Sequence, residues 1–303
     1  MYLLVKLLTH FTIWLTCKRF SVYNKNVTAI DTPLVLGCNH PNSFLDAILV
    51  GALMKNRVHF LTRGDVFNRE WVCWLLKTVN MIPIYRIRDG KENLTKNDHT
   101  FEACRNILMQ GEDVLIFVEG FCNYQTTLQT PLKKGAPRLL IQGWKDGVDV
   151  QLLPVWLRYN SFSAFPKEVE ISFGNPVGRE FINSNEEDSF VMQNINKETA
   201  RQLLELAAVE HSKKEDKKNR LLLLPALLAM ISHIWFYVPV QQLAVRLKGS
   251  IHYDSILFVL IAFLYPVYLL LIFGIVFCTM GWAGAAVAIL LLPLLARAYI
   301  LWK

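Results

Sequence analysis

Three apolar stretches close the chain, Leu221 to Val240, Ile256 to Cys278 and about Ala283 to Leu301, each near the ~20 residues a helix needs to cross hydrocarbon. Residues 25–220 are mixed in character, so the chain divides into a water-compatible domain and membrane parts. The 303 residues are 53% hydrophobic with a mean hydropathy of +0.28, more apolar than an ordinary soluble domain. A net charge of +7 beside long apolar runs suits the anionic cytoplasmic face of a bilayer better than nucleic acid. The six cysteines stand singly, with no Cys-x-x-Cys pair, so neither a zinc site nor a disulfide framework is expected, and a reducing compartment fits.

Charge also orients the tail. TMGW (279–282) has no charge, whereas QQLAVRLKGSIHYDS and the end with Arg297 and Lys303 carry cations, which predicts a hairpin with both ends cytoplasmic. Pro225, His233 and Pro239 make the first stretch an interfacial or re-entrant helix, with three full spans as the alternative. HSKKEDKKNR (211–220), with five cations, reads as a solvated run before the tail. At the other end, MYLLVKLLTHFTIWLTCKRF is interrupted by Lys6 and His10 and followed by Lys18 and Arg19, without a small-x-small cleavage site. The expected organisation is an interfacial helix in 1–24, a domain in 25–220 and membrane-anchoring helices in 221–303.

Within the domain, PLVLGC (33–38), VHFLT (58–62), MIPIYRI (81–87), DVLIFV (113–118), QLLPVWL (151–157) and VEISF (169–173) have strand length and strand composition. Helical patterns lie between them. The order predicts an α/β domain with a mixed or mainly parallel sheet flanked by helices, with active groups at strand ends.

NHPNSFLD (39–46) begins where the first of these strands ends. Pro41 can start a helix, which leaves His40 just before it and Asp46 inside it. Six residues of ideal helix turn through about 240°, so the two side chains meet only if the histidine lies off the helix. A histidine held by a carboxylate is a general base for a hydroxyl, with no serine or cysteine nucleophile required. Capping and solvation alone are the other use of the same residues.

Three later segments follow in order: NMIPIYR (80–86), FVEGFCN (117–123) with PLKKGAPRL after it, and LLPVWLRY (152–159). With NHPNSFLD they resemble the four ordered motifs of the glycerolipid acyltransferases, the family typified by lysophosphatidate acyltransferases, over roughly residues 30–180. VEISFGNPV is similar to that family's closing strand and turn. Three departures stand out. Five residues rather than four separate His40 from Asp46, so the helix is expected to begin one residue later. Phe121 and Cys122 replace the family's Thr-Arg, removing a cation credited with holding the acceptor's phosphate. Asn80 replaces a glycine, a residue that tolerates left-handed backbone.

The resemblance implies transfer of a fatty acyl group from a thioester, on coenzyme A or acyl carrier protein, to a hydroxyl of a glycerol-phosphate or lysophospholipid acceptor. It implies His40 as base, Asp46 as its orienting partner, and Arg86, Glu119, Gly120, Lys133 and Lys134 at the substrate. Arg63 and Arg138 are weaker cation candidates, and Cys122 is expected to be a packed thiol. Backbone amides near the His40 loop are expected to face the oxyanion. No cofactor or metal is implied. The lipid bilayer, the acyl donor and the acceptor are the expected partners, at the cytoplasmic face of the cell membrane. An amino-acid lipid with a free hydroxyl is the alternative acceptor, and a non-catalytic lipid-binding membrane protein the alternative class.

Overall fold

The computed structural model describes residues 2–85, 95–122, 124–125, 127–181, 187–209 and 219–303. Seven strands form one sheet: β1 (Cys17–Tyr23), β2 (Leu34–Cys38), β3 (Val58–Arg63), β4 (Met81–Ile84), β5 (Asp113–Phe117), β6 (Gln151–Tyr159) and β7 (Lys167–Phe173), in the spatial order β1-β7-β6-β2-β5-β3-β4. Every pairing is parallel except β6 with β7. The sheet is therefore mixed and flanked by helices, as its alternating sequence predicts. β2 lies between β5 and β6, with Cys38 opposite Phe117 on one side and Val155 on the other. The carboxyl ends of these three strands converge, and in parallel α/β sheets ligand-binding loops gather at such ends.

Alternation along β2 explains the layers. Leu34, Leu36 and Cys38 enter one apolar core with Leu45, Leu49 and Val50 of α2 (Phe44–Leu53). Helix α3 (Glu70–Thr78) precedes β4. Val35 enters the opposite core, with Phe101 and Cys104 of α4 (Lys96–Met109), Leu139 and Leu140 of α5 (Gly135–Lys145), and Ile195 and Leu203 of α6 (Asp188–Ala208). Both faces of the sheet are covered, which is why its central strands are apolar throughout.

The N-terminal segment departs from expectation. A helix, α1 (Tyr2–Thr16), is followed by residues 17–23 of the expected helical region as β1 beside β7. Phe20 and Val22 alternate with Arg19 and Ser21 and pack on the first core, a period of two that suits a strand. Helix α1 buries Ile13 and Leu15 but exposes Leu3, Leu4 and Leu7.

The tail forms α7 (Leu223–Val245) and α8 (Tyr253–Trp302). α8 is 50 residues long but breaks at Gly281, whose φ of 68° and ψ of −168° are not helical and favour a residue without Cβ. Its second half folds back along the first: Ala296, Tyr299 and Ile300 share a lining with Ile261 and Tyr265, and Trp282 meets the rings of Phe273 and Phe277 at 5.5 Å. The hairpin turns at the uncharged TMGW segment. Both its ends meet the domain, where Arg297 donates to the carbonyls of Trp14 and Cys17 and Asp254 accepts from Asn42. Of the segment 221–240, expected to be interfacial or re-entrant, residues 223–240 belong to α7, packed along α8 with His233 Nε2 and Tyr265 Oη 3.0 Å apart. Of the expected solvated run, residues 211–218 lie outside the described residues.

Candidate active site

The loop between β2 and α2 carries His40 and Asp46. Asn39 is the last residue aligned with the sheet: its backbone N–H donates to Val155, and its side chain exchanges two hydrogen bonds with the Leu157 backbone at 3.0 and 2.7 Å. That places His40 at the strand ends. Its ring stacks on Phe117, with centroids 3.5 Å apart and planes 8° from parallel, and its backbone N–H donates to Glu119 Oε1 at 2.9 Å.

Asp46, fully buried, receives three donors. Oδ2 lies 2.9 Å from His40 Nδ1 and accepts the Asn42 N–H at 2.8 Å, while Oδ1 accepts the Tyr159 hydroxyl at 2.6 Å. A buried carboxylate is tolerated when its lone pairs are matched in this way. Burial and the neighbouring Asp46 charge hold the Tyr159 phenol well above its ordinary range, so it remains a donor.

The helix does not begin at Pro41. It starts at Phe44, after Ser43 with φ 54° and ψ −144°. This irregular residue absorbs the fifth spacer between His40 and Asp46, and the pair still meets. The later start has a physical cause: the first amides of the turn are taken by side chains other than a local cap. Asn42 N–H goes to Asp46, Ser43 N–H to Cys122 Sγ at 3.0 Å, and Leu45 N–H to Ser255 Oγ at 3.0 Å. With the His40 N–H on Glu119, four amides of this loop are already engaged by side chains.

Glu119 follows β5 and is buried. Its Oε2 accepts the Gln129 N–H at 3.0 Å, so the carboxylate ties two loops together beside the histidine. Gly120 has φ 74°, and a Cβ there would sit 2.8 Å from Lys133 Cγ. Glycine both forms the left-handed turn and leaves room for the lysine stem. Lys133 and Lys134 are exposed, on the segment leading into α5. Arg86 lies outside the described residues. Arg63 pairs with Asp65, and Arg138 pairs with Asp98 at 2.9 Å and lies over the Phe101 ring. Asn80 has φ 62°, the left-handed backbone for which an asparagine is suited, and its amide bridges Arg57 and the Val58 carbonyl.

Cys122 accepts the Ser43 N–H, and burial pushes its thiol up to about 12. It is protonated near neutrality and a poor nucleophile. Cys122→Ser, which retains an acceptor for Ser43, is expected to keep acyl transfer within about threefold of wild type, measured as initial rate. A loss comparable to that of a base variant would contradict this placement.

Several contributors escape a linear reading of the sequence. Tyr159, the last residue of LLPVWLRY, is separated from Asp46 by 113 positions. Asn42, within the first motif, points away from the histidine to Asp254. His252 Nδ1 is 2.7 Å from Ser43 Oγ, and burial, then the charges of Arg63 and His40, lower its imidazole below the ordinary range. The available signal is the polar tetrad HYDS (252–255) at the head of an otherwise apolar helix, since polar groups beside membrane-length segments are commonly functional. The head of α8, beyond the boundary expected after residue 220, therefore lies against the loop that carries His40.

A sheet with a histidine–carboxylate pair at the ends of its parallel strands defines an α/β enzyme-like domain. Residues 19–158 match the sequence model of the family described as Acyltransferase, so this stretch of the chain is similar to the acyltransferases. A curated relative, the 1-acyl-sn-glycerol-3-phosphate acyltransferase of Bacillus subtilis (strain 168), is 27% identical over 123 residues. That match spans 40% of this chain and 56% of the relative, little more than half its length. Among solved structures, the 1-acyl-sn-glycerophosphate (LPA) acyltransferase PlsC from Thermotoga maritima aligns with a TM-score of 0.47 and 16% identity, over 69% of this chain and 80% of that one.

Proposed function

We propose that the protein is a membrane-bound acyltransferase moving a fatty acyl group from an acyl thioester, acyl-CoA or acyl carrier protein, to a hydroxyl of a glycerol-phosphate or lysophospholipid acceptor. One observation carries this reading: Asp46, buried and matched by three donors, holds His40 through Nδ1. Nε2 is left for a substrate proton. In the proposed sequence, Nε2 takes the proton of the acceptor hydroxyl as its oxygen attacks the thioester carbonyl. The tetrahedral intermediate collapses, the carbon–sulfur bond breaks, and the leaving thiolate receives that proton from the imidazolium. No acyl-enzyme forms, and general-base chemistry of this kind contributes about 10²- to 10⁴-fold.

Arg86, Lys133 and Lys134 are the proposed cations for the acceptor's phosphate. Helices Arg220–Val245 and Tyr253–Trp302 are long and apolar enough to cross a membrane. The two halves of the latter, 253–280 and 282–302, amount to roughly 42 and 32 Å of helix, matched to a hydrocarbon core of about 30 Å. With both ends of this hairpin at the domain and cations flanking them, the catalytic side is proposed to be cytoplasmic, with Lys303 on the same side as His40.

The test is a panel of lysophosphatidate, glycerol 3-phosphate, other lysolipids and a hydroxyl-bearing amino-acid lipid, each offered with labelled acyl-CoA and acyl carrier protein and resolved by mass spectrometry. A phosphorylated acceptor is expected to be preferred, and Arg86→Ala to lower its kcat/KM at least about tenfold and further than Arg86→Lys does. A phosphate-free acceptor used equally well would transfer the assignment to the amino-acid lipid. No product with any hydroxyl acceptor would leave a non-catalytic lipid-binding protein.

A further inference from the structure

The loop that presents His40 is not fixed by local interactions alone. Ser43 provides no side-chain cap for α2, and its φ of 54° and ψ of −144° are unfavourable for a residue with a Cβ. The missing support comes from the head of the membrane-length helix, about 210 positions away in sequence. Ser255 Oγ accepts the Leu45 N–H at 3.0 Å and donates to the Asn42 carbonyl at 3.0 Å. One hydroxyl thereby closes both sides of the turn that contains Ser43. Beside it, Asp254 Oδ2 accepts from Asn42 Nδ2 at 3.0 Å and pairs with Lys167 Nζ, which also donates to the Ser161 carbonyl at 2.8 Å. Ser255 and Asn42 are fully buried, and Asp254 is 2% exposed. Water has little access to replace these bonds, and an unmatched polar group here is costly.

The geometry points to Ser255 and Asp254 as positioning residues of the acyl-transfer site, an inference that rests on the function proposed above. They touch neither His40 nor Asp46. They act through Asn42, whose backbone N–H donates to the same Asp46 oxygen that holds His40, and through Leu45, the residue before Asp46 in the first turn of α2. Releasing the Asn42–Leu45 turn lets the carboxylate rotate away from the imidazole, and small misplacements of catalytic groups lower rates steeply. The lipid-seated hairpin and the catalytic loop are one construction: the pair is aligned only while the head of α8 is docked.

The test compares Ser255→Ala and Ser255→Thr with wild type, as full-length proteins in lipid nanodiscs. Ser255→Ala is expected to lower kcat about tenfold, with the KM of each substrate within about twofold, a lower thermal midpoint because the Leu45 N–H and Asn42 carbonyl lose their partner, and faster amide hydrogen exchange confined to residues 40–47 while the protein stays folded at the assay temperature. Ser255→Thr, which keeps the hydroxyl, is expected to recover most of the rate and the protection. Wild-type exchange in Ser255→Ala overturns the inference, as does an equal fall in kcat and midpoint in both variants. If the wild type transfers no acyl group, the proposed function fails, and the exchange contrast still decides positioning: faster exchange in Ser255→Ala, reversed in Ser255→Thr, supports it.

Discussion

Replacing His40 with Ala is expected to lower acyl transfer by about 10²-fold or more while the protein stays folded and membrane-bound. The histidine's backbone N–H remains on Glu119, and Asp46 keeps its bonds from Asn42 and Tyr159. The ring stack on Phe117 is lost, a packing term of about 0.5–1.5 kcal/mol, small beside the stability of a domain. Initial rates set against thermal midpoints separate the two effects. A wild-type rate in His40→Ala would exclude the histidine as the base.

The second large effect is expected at Asp46→Asn, where size is kept and charge removed. The carboxylate matches three donors with two oxygens. An asparagine offers one oxygen and turns its NH₂ toward either the Tyr159 hydroxyl or the His40 and Asn42 donors, leaving a buried clash of donors. Loss of the charge also removes the stabilisation of the imidazolium and the hold on its tautomer, for which a comparable substitution in a serine protease triad lowers kcat about 10⁴-fold. A fall of at least about 10²-fold is expected in kcat, larger than any change in KM, with a destabilisation on the order of 3 kcal/mol. Unchanged turnover would reduce Asp46 to a helix residue.

The sheet was legible because its inner strands are short apolar runs bounded by turns, and the His40–Asp46 pair because it sits where β2 ends. The Ser43 backbone that reconciles the longer spacing was not, since its strain is balanced by tertiary partners rather than by neighbours in sequence. β1 was hidden for a related reason: CKRFSVY offers only Cys17, Phe20 and Val22 to the core, and an apolar run just before it extends the helical pattern. Tyr159 and Ser255 are 113 and 210 positions from the groups they bind, and no local period records such contacts. The two apolar stretches of α8 were legible as membrane-length, yet the first turn of the helix is polar and buried against the domain, a contact that the apolar pattern after it does not record.

Direct transfer from thioester to hydroxyl is tested most directly by the intact mass of the reconstituted protein during turnover, with released thiol and acylated lipid quantified in the same sample. The expected result is free thiol and product in a one-to-one ratio, with the protein mass unchanged throughout. A protein mass increased by one acyl group on the pathway, on Cys122, Ser43 or any other residue, would contradict direct attack assisted by His40.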